Sequence, residues 1–447
     1  MHKRRQKIIN TTIVTMNEEK EIINNGILVI EGDEIGFAGD QEAFARSPFA
    51  KMEFSKEEIC DGKQGILMPG MINAHTHASM VVFRSLADDV PDRLKRYIFP
   101  LEKALVNEKL VYTGAKYGIA EMLLGGVTTF CDSYYYEEAV AKAAEEMGIR
   151  GVLGETIVDF VAPDATKPYE GLKIAEEFIQ EWKDHPLITP AVAPHAPYTN
   201  STQKLQEAHR LAKKYGVPVI MHVAEMGYEQ DKYADEYGMS PVEYLDSIQV
   251  LGDKFIGAHF VNVSDKDLDI LAKNNVGISH NVGANSKGAK GVAPAVKMYQ
   301  QNQRIGLGTD GPMSGNTLDI FTQMALVGKV HKLHKMDRSI FPAKEIVEMA
   351  TIGGARALGM EDRIGSIEVG KQGDLVLLET DSINMNPIYD YYSTVVYSAN
   401  PSNVFGVWVN GKQLVDRKTL VGQSLKELTD EIRCMQKDIV EYVENMG

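Results

Sequence analysis

The middle of the chain alternates short apolar runs with longer stretches in which apolar residues recur every three or four positions. The short runs are continuously apolar, which is typical of parallel strands covered on both faces. Strands are predicted at 66–74, 126–131, 151–158, 188–193, 217–221, 255–258, 276–279 and 305–308. Helices are predicted at 107–124, 136–148, 168–183, 202–215 and 264–274. This order predicts an α/β fold with a (β/α)8 TIM-type barrel over residues 66–359.

An open doubly wound sheet is the alternative arrangement for strands and helices that alternate along a chain. Dinucleotide-binding sheets of that type carry Gly-x-Gly-x-x-Gly after the first strand. No such segment follows residues 66–74, so the barrel is favoured.

Both ends of the chain have a different pattern, with short strands separated by tight turns. Near the C-terminus, Asn410-Gly411-Lys412 separates two short apolar runs. An Asn-Gly pair in that setting is a strong signal for a β-hairpin. We therefore predict one small β-sandwich domain built from residues 1–65 and 360–423.

The last segment, 424–447, is predicted to be a single helix. Its apolar residues are spaced alternately by three and four positions and form one stripe: Leu425, Leu428, Ile432, Met435, Ile439, Tyr442 and Met446. Such a stripe packs against another surface. We expect the helix to dock on its own chain, while a subunit contact, and with it a homo-oligomer, stays open.

The bulk composition narrows the class of protein. The chain has 447 residues, 44% of them hydrophobic, and a formal net charge of −15 without a basic stripe, which argues against a nucleic-acid partner. Its three cysteines are far apart, as in proteins of a reducing compartment. No run approaches the ~20 apolar residues of a membrane span, and the N-terminus lacks the apolar core of a signal peptide. We expect a cytoplasmic enzyme with a small-molecule substrate and no membrane partner.

The candidate chemistry starts at His75-Thr76-His77, which ends the first predicted strand. Two histidines at positions i and i+2 of a strand point to the same face, roughly 6.5–7 Å apart along the chain, and can hold one metal ion. In a (β/α)8 barrel, catalytic groups lie at the carboxyl ends of the strands.

Further candidate ligands follow the other predicted strands at the same end of the barrel. They are His195 after strand 4, His222 and Glu225 after strand 5, His259 after strand 6, His280 after strand 7 and Asp310 after strand 8. Six of the eleven histidines are thus predicted to meet on one rim. A nitrogen-rich set with one carboxylate suits zinc or iron better than calcium or magnesium.

We therefore predict one divalent metal per chain, held by His75, His77, His222 and Asp310. A bound metal lowers the pKa of water towards neutrality, and the reaction then requires a proton carrier. Glu225, three residues beyond a ligand, is the predicted carrier.

As a set, these segments resemble the amidohydrolase superfamily. The resemblance is strongest to the branch that holds the 5′-methylthioadenosine/S-adenosylhomocysteine deaminases and the triazine chlorohydrolases. It covers nearly the whole chain and is carried by six segments: 69–77, 194–198, 222–225, 258–259, 279–281 and 308–311.

The resemblance implies a (β/α)8 barrel enzyme and a role for each matching residue. His75, His77, His222 and Asp310 are expected to hold one zinc ion, or iron in some members.

The resemblance also implies which residues move protons. Glu225 is expected to take a proton from water and give it to a ring nitrogen. His259 is expected to orient the water, and Asp310 to pass the second proton to departing ammonia.

Three residues are expected to contact the substrate. His195 would hydrogen-bond the ring, and Glu102 matches the residue that binds the ribose hydroxyls. His280 is placed with them because Ser279-His280-Asn281 matches a family segment.

One departure bears on the substrate. Members that accept S-adenosylhomocysteine hold its carboxylate with arginines after strand 3, whereas this chain has Glu155 near that place and only Lys167 as a basic substitute. We therefore expect a neutral 5′-substituted adenosine to be favoured. Guanine, cytosine and triazines stay as alternative substrates, and a scaffold without metal is disfavoured because every expected ligand is present.

Overall fold

The computed structural model describes residues 4–91 and 93–445. Within them the strands are β1 (Arg5–Val14), β2 (Ile22–Glu31), β3 (Glu34–Gly39), β4 (Ile59–Pro69), β5 (Met71–Thr76), β6 (Val127–Tyr134), β7 (Arg150–Ile157), β8 (Ile188–Pro194), β9 (Val219–Val223), β10 (Phe255–His259), β11 (Gly277–His280), β12 (Arg304–Leu307), β13 (Leu375–Leu378), β14 (Val404–Val409), β15 (Lys412–Asp416) and β16 (Thr419–Leu420).

The helices of the same residues are α1 (Gln41–Arg46), α2 (Phe99–Leu105), α3 (Glu108–Leu124), α4 (Glu137–Met147), α5 (Gly171–Trp182), α6 (Thr202–Tyr215), α7 (Gly227–Tyr237), α8 (Pro241–Ser247), α9 (Asp265–Lys273), α10 (Val282–Lys287), α11 (Ala295–Gln300), α12 (Pro312–Gly315), α13 (Ile320–Lys335), α14 (Ala343–Ala350), α15 (Ile352–Leu358), α16 (Tyr391–Tyr397) and α17 (Leu425–Asn445). Short 3₁₀ turns lie at Pro48–Lys51, Lys56–Glu58, Ala78–Phe83, Pro197–Thr199, Ile383–Met385 and Pro401–Asn403, and one π-helical turn at Leu94–Ile98.

Strands β5 to β12 form the predicted barrel. They lie side by side in chain order, and every neighbouring pair is parallel. After β12, the backbone N–H groups of Thr309 and Asp310 donate to the carbonyl of His75 in β5 at 3.1 and 3.0 Å. These two bonds join the last strand to the first and hold Asp310 beside His75.

Both chain ends contribute to a second eight-stranded sheet, in the order β16-β15-β14-β13-β4-β1-β2-β3. The predicted hairpin is present, and its turn residues Asn410 and Gly411 have φ of 50° and 68°, as the Asn-Gly signal requires. Arg150 of β7 joins this sheet to the barrel, because its Nε donates to Asp374 Oδ2 at 2.9 Å and both side chains are buried.

The apolar run 66–74, predicted as one strand, is divided between the two sheets. Residues up to Pro69 pair within the second sheet, and the barrel strand starts at Met71. The chain passes between them at Gly70, where a Cβ would lie 2.2 Å from the side chain of Thr128. Because the end of β4 from residue 66 and the whole of β5 are buried, the hydrophobicity is continuous and does not reveal the junction.

The C-terminal segment forms the predicted single helix, α17, which packs on α3 of its own chain. Leu428 and Ile439 of the predicted stripe are buried, and Met446 lies outside the described residues. In the described part of the chain, no helix combines the length and the hydrophobicity needed to cross a bilayer.

Candidate active site

Four predicted ligand side chains converge at the carboxyl end of the barrel. His77 Nε2 lies 3.2 Å from His222 Nε2 and 3.5 Å from Asp310 Oδ1, and His75 Nε2 lies 3.9 Å from the same oxygen. Ligand atoms of His75, His77 and His222 fall within 4.8 Å of one another, as do those of His75, His259 and Asp310. The arrangement brings imidazole nitrogens and a carboxylate around one point.

The backbone around these side chains fixes where they point. Asp310 has φ of 59°, a left-handed conformation that residues other than glycine adopt at an energetic cost. Thr309 beside it donates to the side chain of Asn73, whose own amide donates back to the Thr309 hydroxyl. The reciprocal pair holds the strained loop, so that the Asp310 carboxylate faces the histidines.

In two of the ligand histidines, the ring nitrogen that points away from the cluster, Nδ1, is hydrogen-bonded to a backbone carbonyl. His77 Nδ1 lies 2.6 Å from the Ser133 carbonyl and His222 Nδ1 lies 2.7 Å from the His195 carbonyl, so each donates outward and leaves Nε2 unprotonated for a metal. Histidines that bind a metal usually donate their other ring N–H to a carbonyl or carboxylate in this way, which fixes the orientation of the ring.

The side chains present fit a metal ion. Both ring nitrogens of the buried His75 lack a hydrogen-bond partner among the described residues, which is costly unless something else satisfies them. Burial lowers the pKa of His75, His77 and His222, so these rings are neutral, the form that binds a metal. Burial would raise the pKa of Asp310, but the Lys290 ammonium and the neighbouring imidazoles together outweigh it and lower that pKa.

Glu225 lies beside the ligands at the start of the loop after β9. Its Oε1 is 3.8 Å from His259 Nε2 and accepts a hydrogen bond from Lys290 Nζ, which also lies 3.9 Å from Asp310 Oδ2. Burial would raise the pKa of Glu225, but the charges of His259 and Lys290 outweigh it and lower that pKa. Asn285 Oδ1 lies 2.9 Å from His259 Nδ1 and orients the ring.

A cavity of about 750 Å³, a size suited to a small-molecule ligand, is lined by His77, His222, Glu225, His259, Lys290 and Asp310. Glu102 lies in its wall, buried, and accepts a hydrogen bond from the Tyr134 hydroxyl at 2.9 Å. Burial raises the pKa of Glu102 to about 7. His195 also lines the cavity, with Nδ1 3.1 Å from the Thr199 hydroxyl, and burial lowers its pKa to about 3.

The structure places His280, a predicted substrate-binding residue, away from both the ligand cluster and the cavity. Its Nε2 lies 2.9 Å from His331 Nε2 of α13, and it is not among the residues that line the cavity. Burial lowers the pKa of both rings, so they form a neutral pair. The side chain of a strand-end residue can face the barrel interior or the surrounding helices, and here it faces α13.

The expectation for Glu155 needs correction. Its carboxylate is buried behind the cavity wall, where it accepts from the Glu137 N–H at 3.1 Å, and Lys167 is exposed elsewhere; neither lines the cavity. Among the described residues, the lysine and arginine side chains that line it are Arg93, Lys287 and Lys290.

Sequence reasoning missed Tyr134 and Lys290. Strand 2 was predicted to end at residue 131 but continues to Tyr134, which places that residue at the cavity. Lys290 follows β11 by ten positions, in a segment of lysines and glycines where no spacing distinguishes it from Lys287. Only the fold shows which lysine reaches Glu225.

Comparisons with known proteins agree with this geometry. Residues 66–414 match the model of the amidohydrolase family. The 5-methylthioadenosine/S-adenosylhomocysteine deaminase of Syntrophobacter fumaroxidans is 36% identical over 97% of this chain and 98% of its own length. The enzyme of the same name from Thermodesulfovibrio yellowstonii is 37% identical over 92% of this chain and 95% of its own length.

Two solved structures are similar over nearly the full length. An adenosine deaminase from Xanthomonas campestris with bound zinc has a TM-score of 0.93 and 30% identity, covering 98% of both chains. The atrazine chlorohydrolase of Arthrobacter aurescens complexed with zinc has a TM-score of 0.88 at 20% identity, covering 96% of this chain and 99% of its own. At that identity the second similarity shows the fold alone.

Proposed function

Because the chain belongs to the amidohydrolase family, we propose that it is a metal-dependent hydrolase that deaminates a 5′-substituted adenosine such as 5′-methylthioadenosine. Water adds its oxygen to the ring carbon that carries the amino group, the C–N bond to that group breaks, and the inosine product and ammonia leave. The convergence of three neutral histidines, Asp310 and an ionised Glu225 at the base of one cavity carries the proposal.

His75, His77, His222 and Asp310 would hold the metal. Zinc is proposed over iron because the ligand set is rich in nitrogen and because the similar adenosine deaminase contains zinc. A zinc ion held there would act as a Lewis acid that lowers the pKa of water towards neutrality.

Glu225 is proposed as the proton carrier. It is ionised and lines the cavity, so it can accept a proton from the attacking water and donate it to a ring nitrogen. His259 is fixed through Nδ1 by Asn285 and presents Nε2 to the same space, which suits it to orient the water. Asp310 lies close enough to pass the second proton to the departing amine.

The substrate end of the cavity suits a nucleoside. Glu102, held by the Tyr134 hydroxyl, offers carboxylate oxygens to a pair of ribose hydroxyls, and His195 offers a ring nitrogen to the base. We assign no substrate contact to His280, because it pairs with His331.

A neutral 5′ substituent is favoured over a charged amino-acid tail, for a reason different from the one the sequence suggested. Lys287 Nζ donates to Asp88 Oδ1 at 2.6 Å, and Arg93 lies 3.5 Å from the same oxygen. Lys290 is bound to Glu225. Among the cations of the described residues, a substrate carboxylate would therefore have to compete with Asp88 for Lys287 and Arg93.

The test is ammonia release by zinc-loaded and metal-depleted protein. The panel contains 5′-methylthioadenosine, 5′-deoxyadenosine, adenosine, S-adenosylhomocysteine, guanine, cytosine and a chlorotriazine. We expect metal-dependent turnover of the neutral adenosines and at least a tenfold lower kcat/KM for S-adenosylhomocysteine, which corresponds to about 1.4 kcal/mol. Turnover confined to guanine, cytosine or the triazine would contradict the substrate assignment, and equal turnover by metal-depleted protein would contradict the mechanism.

A further inference from the structure

Apart from the effect of its charge on pKa values, Lys290 has no part in the mechanism described so far, yet it contacts the proposed proton carrier. Its Nζ donates to Glu225 Oε1 and lies 3.9 Å from Asp310 Oδ2. Only 12% of its side chain is exposed, although it lines the cavity. A lysine enclosed in this way is unlike an exposed surface partner, whose ion pair contributes little.

The local backbone holds Lys290 in this position. Its N–H donates to the carbonyl of Asn285 at 3.0 Å, which closes the segment after α10. The neighbours Ala289 and Gly291 have φ of 51° and 117°, conformations that an unconstrained chain avoids at alanine. Asn285 also orients His259, so one short segment controls two groups of the site.

In the part of the chain that the structure describes, the backbone of Glu225 is held by two hydrogen bonds, whereas its carboxylate is held by one. Its N–H donates to Glu229 Oε1 at 3.0 Å, and its carbonyl accepts from Asn262 Nδ2 at 3.0 Å. Among the hydrogen bonds of the described residues, the carboxylate accepts only from Lys290, through Oε1. The second oxygen, Oε2, is thereby left for the substrate.

We infer that Lys290 is a positioning residue that holds Oε1 of Glu225, so that Oε2 faces the reacting ring. The inference rests on the proposed function, since it assigns Lys290 to the proton carrier of that reaction. The loss of this single restraint lets the carboxylate rotate about its side-chain bonds. A misplacement of this kind, on the order of 1 Å, can reduce a rate by about 10²-fold.

The first test replaces Lys290 by methionine, which keeps the length of the side chain and removes the ammonium. With 5′-methylthioadenosine we expect kcat to fall about 10²-fold while KM changes less than about threefold, because ground-state binding is retained. Lys290→Arg should recover at least a tenth of the wild-type kcat. Lys297→Met is the matched control, since Lys297 is 44% exposed on α11 and pairs with Asp265.

A second test separates positioning from a structural role. Ethylammonium added to Lys290→Ala should raise kcat in a saturable manner, at least tenfold, and should have no effect on Lys290→Ala/Glu225→Gln. Metal content, measured by plasma emission, should equal that of the wild type. Wild-type kcat in Lys290→Met, or a loss of rate that follows a loss of metal, would overturn the inference.

A third measurement does not depend on the substrate. Melting midpoints of Lys290→Met, Glu225→Gln and the double variant form a cycle, and we expect the double variant to lose less than the sum of the two single losses. Additive losses would overturn the pairing even if deamination is observed. If the whole substrate panel is inert while the cycle shows coupling, the proposed function fails and the Lys290–Glu225 pairing stands.

Discussion

Two groups of carboxyl side chains lie at the carboxyl end of the barrel and differ in the charges around them. Glu225 and Asp310 share the Lys290 ammonium and face histidines. Glu137 and Glu155 lie after β6 and in β7, where their carboxylates face other carboxyls. Both oxygens of Glu137 lack a hydrogen-bond donor among the described residues.

Burial raises the pKa of the carboxyl side chains in both groups, and the neighbouring charges decide whether the final pKa lies above or below its usual value. At Glu225 the charges of His259 and Lys290 outweigh burial and lower the pKa. At Glu137, burial raises the pKa, and the nearby carboxyls of Asp132 and Glu155 raise it further, well above its usual value. Glu225 is therefore ionised at neutral pH and can accept a proton, whereas Glu137 retains its proton to a higher pH than an ordinary glutamate.

The largest expected effect comes from replacing one carboxyl side chain of each group by the corresponding amide, because only the loss of Glu225 should lower the rate. Glu225→Gln should lower kcat about 10³-fold, since proton transfer by a positioned carboxylate contributes on this scale. Glu137→Gln should leave kcat within about twofold, because Glu137 is not among the residues that line the cavity and its raised pKa disfavours the charged form. The measurement is ammonia release with metal content determined in parallel. Full turnover by Glu225→Gln with metal bound would contradict the assignment.

The next largest effect is expected on the metal affinity when the pH is lowered. The histidine ligands, whose pKa is lowered, take up protons at a lower pH than an ordinary histidine, whereas Glu137, whose pKa is raised, takes up its proton at a higher pH than an ordinary glutamate. Burial lowers the pKa of His75, His77 and His222, so each ring stays neutral until the pH falls below the usual value of 6.5. Below that, protons compete with the metal, and the affinity should decrease by about tenfold per pH unit for each ligand that protonates.

Zinc affinity measured with a competing chelator between pH 8 and pH 4.5 tests this expectation. The chelator's own proton binding is corrected with a chelator-only titration. An affinity that is constant down to pH 4.5 would contradict a shell dominated by histidine.

Much of the fold and the metal-side cluster could be predicted from the sequence, because both depend on position along strands. Continuous apolar runs identify buried parallel strands, and in a barrel their carboxyl ends meet. His75, His77, His222 and Asp310 each end such a run and are brought together. The direction in which a strand-end side chain points is not encoded in this pattern, which is why His280 was assigned to the substrate and instead faces His331.

The contacts that determine whether the buried carboxyl groups are ionised could not be predicted in the same way. Lys290 and Glu225 are 65 residues apart, and the pair depends on a left-handed turn at Ala289 that no hydrophobic pattern indicates. The same holds for Glu155, whose position suggested a substrate contact while its environment in the fold is the carboxyl of Asp164. Pairings between loops depend on tertiary geometry, so they require the structure.

Glu102 is intermediate between Glu225 and Glu137. Its carboxyl group lines the cavity, and its pKa is set by burial and the Tyr134 hydroxyl, without a neighbouring charge of either sign among the described residues. Burial raises its pKa to about 7, so it loses its charge as the pH falls through neutrality. If the carboxylate binds ribose hydroxyls, KM for 5′-methylthioadenosine should rise when the pH is lowered from 8 to 6. Glu102→Gln should raise KM about tenfold, the scale of one charge-assisted hydrogen bond, and should remove that pH dependence. A wild-type KM that is constant over this range would contradict the role.

The smallest expected effect concerns the stability of the fold and has the opposite sign. The pKa of Glu137 is raised above 4.5, so the folded protein holds this proton when the unfolded chain has released it. This group therefore disfavours the folded state progressively as the pH rises above 4.5. Glutamine cannot ionise, so Glu137→Gln should raise the free energy of unfolding at pH 8, by about 1.4 kcal/mol for each tenfold increase in proton affinity that the carboxyl group gains on folding.

The melting midpoint of Glu137→Gln should therefore exceed that of the wild type at pH 8, and the difference should disappear near pH 4.5. Glu181→Gln, on the exposed end of α5, is the matched control and should not change the midpoint at either pH. A gain of equal size at both pH values would mean that packing, and not ionisation, is responsible. A loss at pH 8 would mean that Glu137 is ionised and bound to a cation, as Glu225 is, and the contrast between the two carboxyl groups would not hold.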